Sequence, residues 1–200
     1  MSVETHAHHE HPDVVGSRNR LGVILLLVAD ISFALSMVFV YFYLRGQNVN
    51  NMWLPVATED HPAIEALSSK SAWIVTAICA LGALAHIYGL KGARAGNQTQ
   101  LKLGSLVAFI LSIVAIANQS NTIASAPFTF TDGAYASCFY MFAFLNMVHL
   151  VLTIFISLGN WNRARLGLYT ENFWHVDIVR IWWIWMAVSS LLGAFCLSYP

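Results

Sequence analysis

Charge is what this sequence has least of. Only 10% of its 200 residues are Asp, Glu, Lys or Arg, against about 25% in an ordinary soluble domain, and 58% are hydrophobic. This composition excludes an ordinary soluble enzyme and predicts an integral membrane protein. The formal net charge is zero, which gives no indication of nucleic acid as a partner.

The sequence also shows no signal-peptide pattern in its first residues, no disulfide framework and no proline inside its apolar runs. The first 20 residues are polar and His-rich instead of basic and then apolar. The cysteines are an odd number at wide spacing within apolar runs: Cys79, Cys138 and Cys196. All five prolines fall in tails or loops, so long helices can run without the break that an interior proline causes.

Five apolar runs are each long enough to cross about 30 Å of hydrocarbon as a helix. They lie at residues 21–44, 71–90, 101–119, 134–158 and 175–199. We therefore predict an all-α fold, a polytopic bundle of five transmembrane helices over residues 21–200. A His-rich cytoplasmic tail over residues 1–20 precedes it.

The basic residues of the loops predict the orientation of the bundle. Seven lie on the side of the N-terminus, namely Arg18, Arg20, Lys91, Arg94, Lys102, Arg163 and Arg165. The other side has Arg45 and Lys70. Because basic loops stay in the cytoplasm, the N-terminus is predicted to be cytoplasmic and the C-terminus to lie outside.

Asp30 is the most informative residue of the first span, because a carboxylate at that depth is unlikely to face lipid. One hypothesis is a hydrogen-bonded carboxyl that holds helices together. The other is a site that handles protons. Residue type alone favours neither.

Two further spans carry polar residues on one helix face. In the second span, His86 shares a face with Cys79, Gly82 and Gly89, a stripe of small residues that predicts close helix packing. His86 is therefore interpreted as an interhelical hydrogen-bonding residue and not as a ligand.

In the fourth span, Asn146, His149, Thr153 and Ser157 form a polar seam that is predicted to point into the bundle. His149 is placed to bridge two helices there.

The last span begins with Trp174, His175, Val176 and Asp177. Asp177 and Arg180 are three residues apart and are predicted to neutralise each other at the membrane boundary. The tryptophans that follow are interpreted mainly as an interfacial belt.

The intramembrane histidines are the candidate ligands for a metal ion or a haem. His86 and His175 both lie near the cytoplasmic end, so a haem b between them is geometrically conceivable. There is no Cys-x-x-Cys-His sequence for covalent haem. The residues favour a chain with intramembrane carboxylates and histidines but without a redox centre or metal site of its own.

Several stretches, in the same order, resemble subunit III of haem–copper terminal oxidases in its five-helix form. Residues 27–33 followed by 41–45 are similar to the family's first helix, in which an acidic residue precedes an aromatic exit. Residues 144–149 resemble the histidine helix and 165–170 the Arg-x-Gly-x-x-Thr turn after it. Residues 173–179 resemble the Trp-His hallmark of the last helix.

The resemblance implies a non-catalytic subunit of an enzyme that reduces O2 to water and pumps protons. It implies that haems and copper reside in partner subunits I and II, with no cofactor in this chain. The chain would stabilise subunit I, bind phospholipid and flank a route for O2. Asp30 would face the lipid cleft or the subunit I side.

We therefore expect a multi-pass protein of the inner (cytoplasmic) membrane of a bacterium or archaeon. The electron donor, cytochrome c or quinol, stays open.

Two alternatives remain at this stage. One is a membrane anchor subunit that binds haem b or a quinone. The other is the accessory protein of nitric oxide reductase that is similar to subunit III.

Overall fold

The computed structural model describes residues 11–51, 53–57, 63–170 and 172–200. Its five α-helices are α1 Pro12–Gln47, α2 Lys70–Arg94, α3 Gln98–Ala124, α4 Ala134–Arg165 and α5 Trp174–Leu197. A short 3-10 helix, Val49–Asn51, follows α1, and the described residues contain no strand.

All five helices are long and apolar enough to cross a membrane. The predicted all-α class with five spanning helices is therefore confirmed. The orientation of the N-terminus stays a prediction. Residues 1–10 of the predicted tail lie outside the described residues, whereas residues 12–20 form the first turns of α1.

Helices α2 to α5 form a ring in which each helix packs against two neighbours. The ring is closed by contacts of α2 with α3, α3 with α4, α4 with α5 and α5 with α2. Helix α1 lies outside the ring, mainly against α5 and to a smaller extent against α4. Much of its surface is exposed as a result.

Small residues bring α2 and α3 together. A Cβ atom at Gly104 of α3 would lie 2.6 Å from the Ala85 carbonyl oxygen and 2.7 Å from the Gly89 Cα of α2. No real side chain fits that space, so both backbones depend on glycine for their approach. This is how membrane helices associate when lipid removes the hydrophobic drive between them.

The end of the bundle that holds the C-terminus is tied by aromatic and polar contacts. Trp53, which follows α1, is buried between Tyr41 and Tyr135, with ring centroids 5.0 and 5.7 Å away. The Tyr41 hydroxyl donates to the Tyr199 carbonyl oxygen at 3.1 Å, and Arg45 Nε donates to the Pro200 carbonyl oxygen at 3.0 Å. These contacts fasten α1 to the end of α5.

Candidate functional site

Asp30 lies on the one buried stripe of α1. It is three residues after Leu27 and four before Ala34, both of which are buried. Its carboxylate oxygens lie 3.2 and 3.1 Å from Nε2 of His149 on α4. The indole Nε1 of Trp185 on α5 donates a second hydrogen bond to this carboxylate. One carboxyl group therefore joins α1 to both helices against which it packs.

The imidazole of His149 packs against Trp182 of α5, whose own position is fixed by a hydrogen bond to Thr153. The carbonyl oxygen of His149 accepts a hydrogen bond from the Thr153 hydroxyl at 2.7 Å, and Thr153 Oγ1 in turn accepts one from Trp182 Nε1 at 2.8 Å. The Trp182 ring packs edge-on against the imidazole, with centroids 5.8 Å apart. The His149 side chain is only 7% exposed, so its Nε2 is fixed toward Asp30.

The tryptophans of α5 lie elsewhere than the sequence indicated. Trp182, Trp183 and Trp185 are 6%, 1% and 7% exposed. The interpretation as an interfacial belt is wrong for these three, because two of their indole N–H groups donate to partners inside the bundle. Aromatic residues indicate an interface only when their position along the helix is also near one.

A cleft with a cavity volume of about 60 Å³ lies beside His149 and is lined by all five helices. The side chain of Asn146 forms hydrogen bonds to two other helices that line the cleft. Its Nδ2 donates to Gln119 Oε1 at 3.0 Å, and its Oδ1 accepts from the Ser190 hydroxyl at 3.2 Å. This connection joins α3, α4 and α5 through side chains. Gln119 and Ser190 were not among the residues that the sequence singled out.

His86 is fully buried between α2 and α5. Its Nε2 lies 2.9 Å from the carbonyl oxygen of Val176, and the side chain is 1% exposed. Nearby, a Cβ at Gly82 would collide with the Trp183 ring, which occupies the space that the glycine leaves. His86 thus connects two helices in the structure.

His175 and Asp177 lie at the start of α5 but have different surroundings. His175 stacks on Trp174, with ring centroids 3.4 Å apart. Asp177 accepts two hydrogen bonds from Arg94 of α2, at 2.8 and 3.0 Å, while Arg180 Nε is 3.4 Å away. The predicted ion pair of Asp177 with Arg180 is confirmed. The sequence missed Arg94, because a pairing between two helices has no local spacing.

A second buried polar network occupies the basic-rich end of the bundle and was not predicted. Asn160 donates to the Ser105 hydroxyl at 2.9 Å and accepts from the Tyr169 hydroxyl at 3.1 Å. Gln98 donates to the Tyr169 carbonyl oxygen at 2.8 Å. Burial raises the pKa of the Tyr169 phenol, so it remains a neutral donor to Asn160.

A metal site needs several donor side chains that converge on one point. No group of three or more His, Cys, Asp or Glu side chains in the described part of the chain could hold a metal ion. The three cysteines are free and buried.

Comparison with known proteins gives one family and a set of similar chains. The family model described as cytochrome c oxidase subunit III matches residues 1–195. Cytochrome c oxidase subunit 3 of Rhizopus stolonifer is 26% identical over 183 residues, which cover 84% of this chain and 62% of that protein. Those of Neurospora crassa and Podospora anserina are 26% and 27% identical over 195 residues, covering 90% of this chain and 69% of each protein. The chain thus spans about two thirds of the length of these relatives.

The expectation of a bacterial or archaeal membrane is wrong. The relatives come from fungi such as Saccharomyces cerevisiae and from the alga Prototheca wickerhamii, and they point to the inner mitochondrial membrane. Hydropathy and loop charge record that a chain crosses a bilayer and which side is basic. Neither distinguishes two bilayers of similar thickness, so the multi-pass prediction stands while the compartment is corrected.

Proposed function

Since this chain belongs to the cytochrome c oxidase subunit III family, we propose that it is a non-catalytic subunit of a haem–copper oxidase that reduces O2 to water and pumps protons. The match through residue 195 of the 200 carries the proposal. The family places the chain in an oxidase complex of the respiratory chain. The non-catalytic role of this chain and the location of the haems and copper in other subunits are the proposed part.

The non-catalytic role is supported by how the chain uses its own histidines. Nε2 of His86 is held by the Val176 carbonyl oxygen, and Nε2 of His149 by Asp30. A haem ligand needs an imidazole nitrogen that faces the iron, and the Nε2 atoms of these two residues face other helices. We therefore assign the haems and copper to partner subunits I and II.

A stabilising role toward subunit I and membrane phospholipid is supported by the outer face of α1. Large apolar side chains there are exposed: Leu21, Leu25, Leu26, Val28, Leu35 and Phe39. Such a face suits lipid chains or an apolar partner helix. Asp30 is 17% exposed at the edge of this face, where lipid or subunit I would meet it beside a route for O2.

The names of the relatives favour cytochrome c over quinol as the electron donor of the complex. Each of those compared above is a cytochrome c oxidase subunit 3. The donor itself would bind to another subunit.

Isolation of the native complex through a tag on this chain tests the proposal. We expect a large polytopic partner that carries the haem-binding and copper-binding histidines, together with O2 reduction driven by cytochrome c. Isolation of the intact chain with partners that contain no haem–copper centre would contradict it.

A spectrum of the chain alone provides a second test. Expressed without its partners in haem-replete cells, it should show no Soret absorption. A stoichiometric b-type spectrum that disappears on His86→Leu or His175→Leu would instead establish a haem-binding anchor.

The orientation is tested by labelling from each side of the membrane. We expect a cysteine introduced at Asn97, in the basic loop between α2 and α3, to react from the side of the N-terminus. One introduced at Pro200 should react from the opposite side. Reaction of both from the same side would contradict an odd number of spans.

A further inference from the structure

The cleft beside His149 reaches from one end of the bundle to its interior. Its lining includes Ser71 and Thr122, near the start of α2 and the end of α3, and Leu197 at the end of α5. Along α4 it extends from Phe139 to His149, ten residues and about 15 Å at 1.5 Å per residue. All these helix ends lie on the side of the C-terminus. The cleft therefore leads from that side to the Asp30–His149 pair.

The deep part of the cleft has polar groups whose bonding within the described chain is incomplete. Gln119 accepts from Asn146 through Oε1, but its Nε2 donates to none of the described residues. Nε2 of His149 contacts Asp30, and Nδ1 has no hydrogen bond to the described residues either. Unpaired amide and imidazole groups inside a bilayer cost several kcal/mol each when nothing polar meets them.

Water satisfies these groups better than an acyl chain does. A water molecule needs roughly 10–15 Å³ of cavity volume and two to four polar partners, so a cavity of about 60 Å³ has room for several. Polar side chains that can bind water are spread along the cleft: Ser71, Thr122, Gln119, Asn146, His149 and Ser190. An acyl chain would leave the Gln119 and His149 nitrogens unpaired.

We propose that this cleft is a water-filled vestibule that connects the side of the C-terminus to His149 and gives the Asp30–His149 pair a route for proton exchange with that side. Neutral His149 donates its Nε2 proton toward the Asp30 carboxylate. A proton delivered by water binds Nδ1, and the Nε2 proton passes to Asp30. One proton leaves the water, one arrives on the carboxyl group, and the imidazole stays neutral; the reverse transfers restore the start.

Hydroxyl-radical footprinting of the intact purified complex tests the vestibule, because the radicals form in water and oxidise side chains next to it. We expect oxidation of Phe139 and His149, which line the cleft although they are 2% and 6% exposed. Met186 is fully buried, does not line the cleft and is intrinsically easy to oxidise. Its protection is the control. If His149 is as protected as Met186, the vestibule is dry and the proposal fails.

A larger side chain in the middle of the cleft, called the plug below, tests whether water enters from the side of the C-terminus. Ala143 lines the cleft between Phe139 and His149, and Ala143→Leu should protect His149 while leaving Phe139 oxidised. Gly159→Leu is the matched control on the same helix, since a Cβ there meets no described atom within 4 Å and Gly159 does not line the cleft. If Ala143→Leu does not assemble, Ala143→Val provides the smaller plug. Oxidation of His149 unchanged by an assembled plug would overturn the route.

Proton exchange is measured by infrared spectroscopy in D2O, on the C=O band of the protonated Asp30 carboxyl group that forms when the proton arrives; this band is assigned by its loss in Asp30→Asn. The Ala143→Leu plug should slow the exchange of this band by about tenfold or more, corresponding to ~1.4 kcal/mol of added barrier. Gly159→Leu should leave the rate unchanged. Equal rates in both variants would show that Asp30 exchanges by another path. Co-isolation of oxidase subunits is unaffected by any of these results, so failure here is distinct from failure of the proposed function.

Discussion

Helices α1 and α2 are both long apolar spans, yet they are attached to the bundle by different means. In the most apolar window of α1, 17% of the residues are buried, against 39% in α2. Helix α1 contacts α4 and α5 on one stripe, whereas α2 is enclosed by α3 and α5. The first is held by hydrogen bonds at a few points, and the second by the fit of its surface.

The glycines of the two helices show this difference most directly. In α1, a Cβ at Gly22 or Gly46 would meet no described atom within 4 Å. Gly16, in the second turn of the helix, is the exception, because a Cβ there would lie 2.9 Å from Trp174 Cγ. In α2, a Cβ at Gly82 would meet the Trp183 ring, and one at Gly92 would lie 2.5 Å from Gln100 Cβ. Glycine in α2 creates space for a neighbour, whereas glycine in the exposed part of α1 does not.

The largest effect is therefore expected at the closest approach of α2 and α3. Gly104→Ala places a methyl group 2.6 Å from the Ala85 carbonyl oxygen, and backbone cannot move aside as a side chain does. We expect a loss of about 3 kcal/mol in the stability of the subunit, measured as a lower Tm and a smaller assembled fraction.

Gly22→Ala in α1 is the matched control for that substitution. Its methyl group enters open space, and alanine favours the helix by up to about 1 kcal/mol. Stability should be unchanged or slightly higher. Equal losses at Gly104 and Gly22 would mean that the two helices are not attached differently.

An intermediate effect is expected when α1 loses its polar attachment. Asp30→Leu removes the acceptor for both His149 and Trp185 and leaves two donors unpaired in the bundle. We expect a cost of about 2 kcal/mol, seen as dissociation of the subunit at lower detergent concentration. Full retention of the subunit would show that the exposed face of α1 is held by other contacts.

Asp30→Asn separates attachment from proton handling, because it keeps a hydrogen-bonding group of nearly the same size without a titratable proton. Assembly and initial O2 reduction should survive. Faster inactivation over repeated turnovers, or fewer protons released per electron, is expected in reconstituted vesicles. Behaviour identical to wild type would reduce Asp30 to a helix contact, and loss of the first turnover would place part of the catalytic site in this chain.

The smallest effect is expected for the ion pair of α2 with α5. Arg94 and Asp177 approach to 2.8 Å, but the Arg94 side chain is 58% exposed, so water and salt screen the pair. A double-mutant cycle with Arg94→Gln and Asp177→Asn should give about 0.2–1 kcal/mol at low salt and less at high salt. A coupling well above this range, or one insensitive to salt, would contradict screening and show that α2 depends on charge as well as shape.

Much of the site could be anticipated from residue types, but not its pairings. Asp30 and His149 stood out because polar groups in apolar runs need partners, and the structure places them 3.1 Å apart. Gln119 and Asn160 were not identified, since amides near a helix end look like ordinary boundary residues. Ser190 was not identified because a single hydroxyl within an apolar span is common in membrane helices. The hydrogen-bond partners of these side chains depend on which helix lies opposite.

The number of spans, the all-α class and the family are all contained in the residues, because they follow from hydropathy along the chain and from local motifs. The position of α1 outside a ring of four helices, the contact of Arg94 with Asp177 and the polar cleft that leads to His149 became visible only in the folded bundle. The two kinds of property differ in how far along the chain their causes extend. A bilayer imposes helix length and apolarity on each segment separately, whereas packing and hydrogen bonding between helices depend on atoms more than a hundred residues apart in the chain, such as Asp30 and His149.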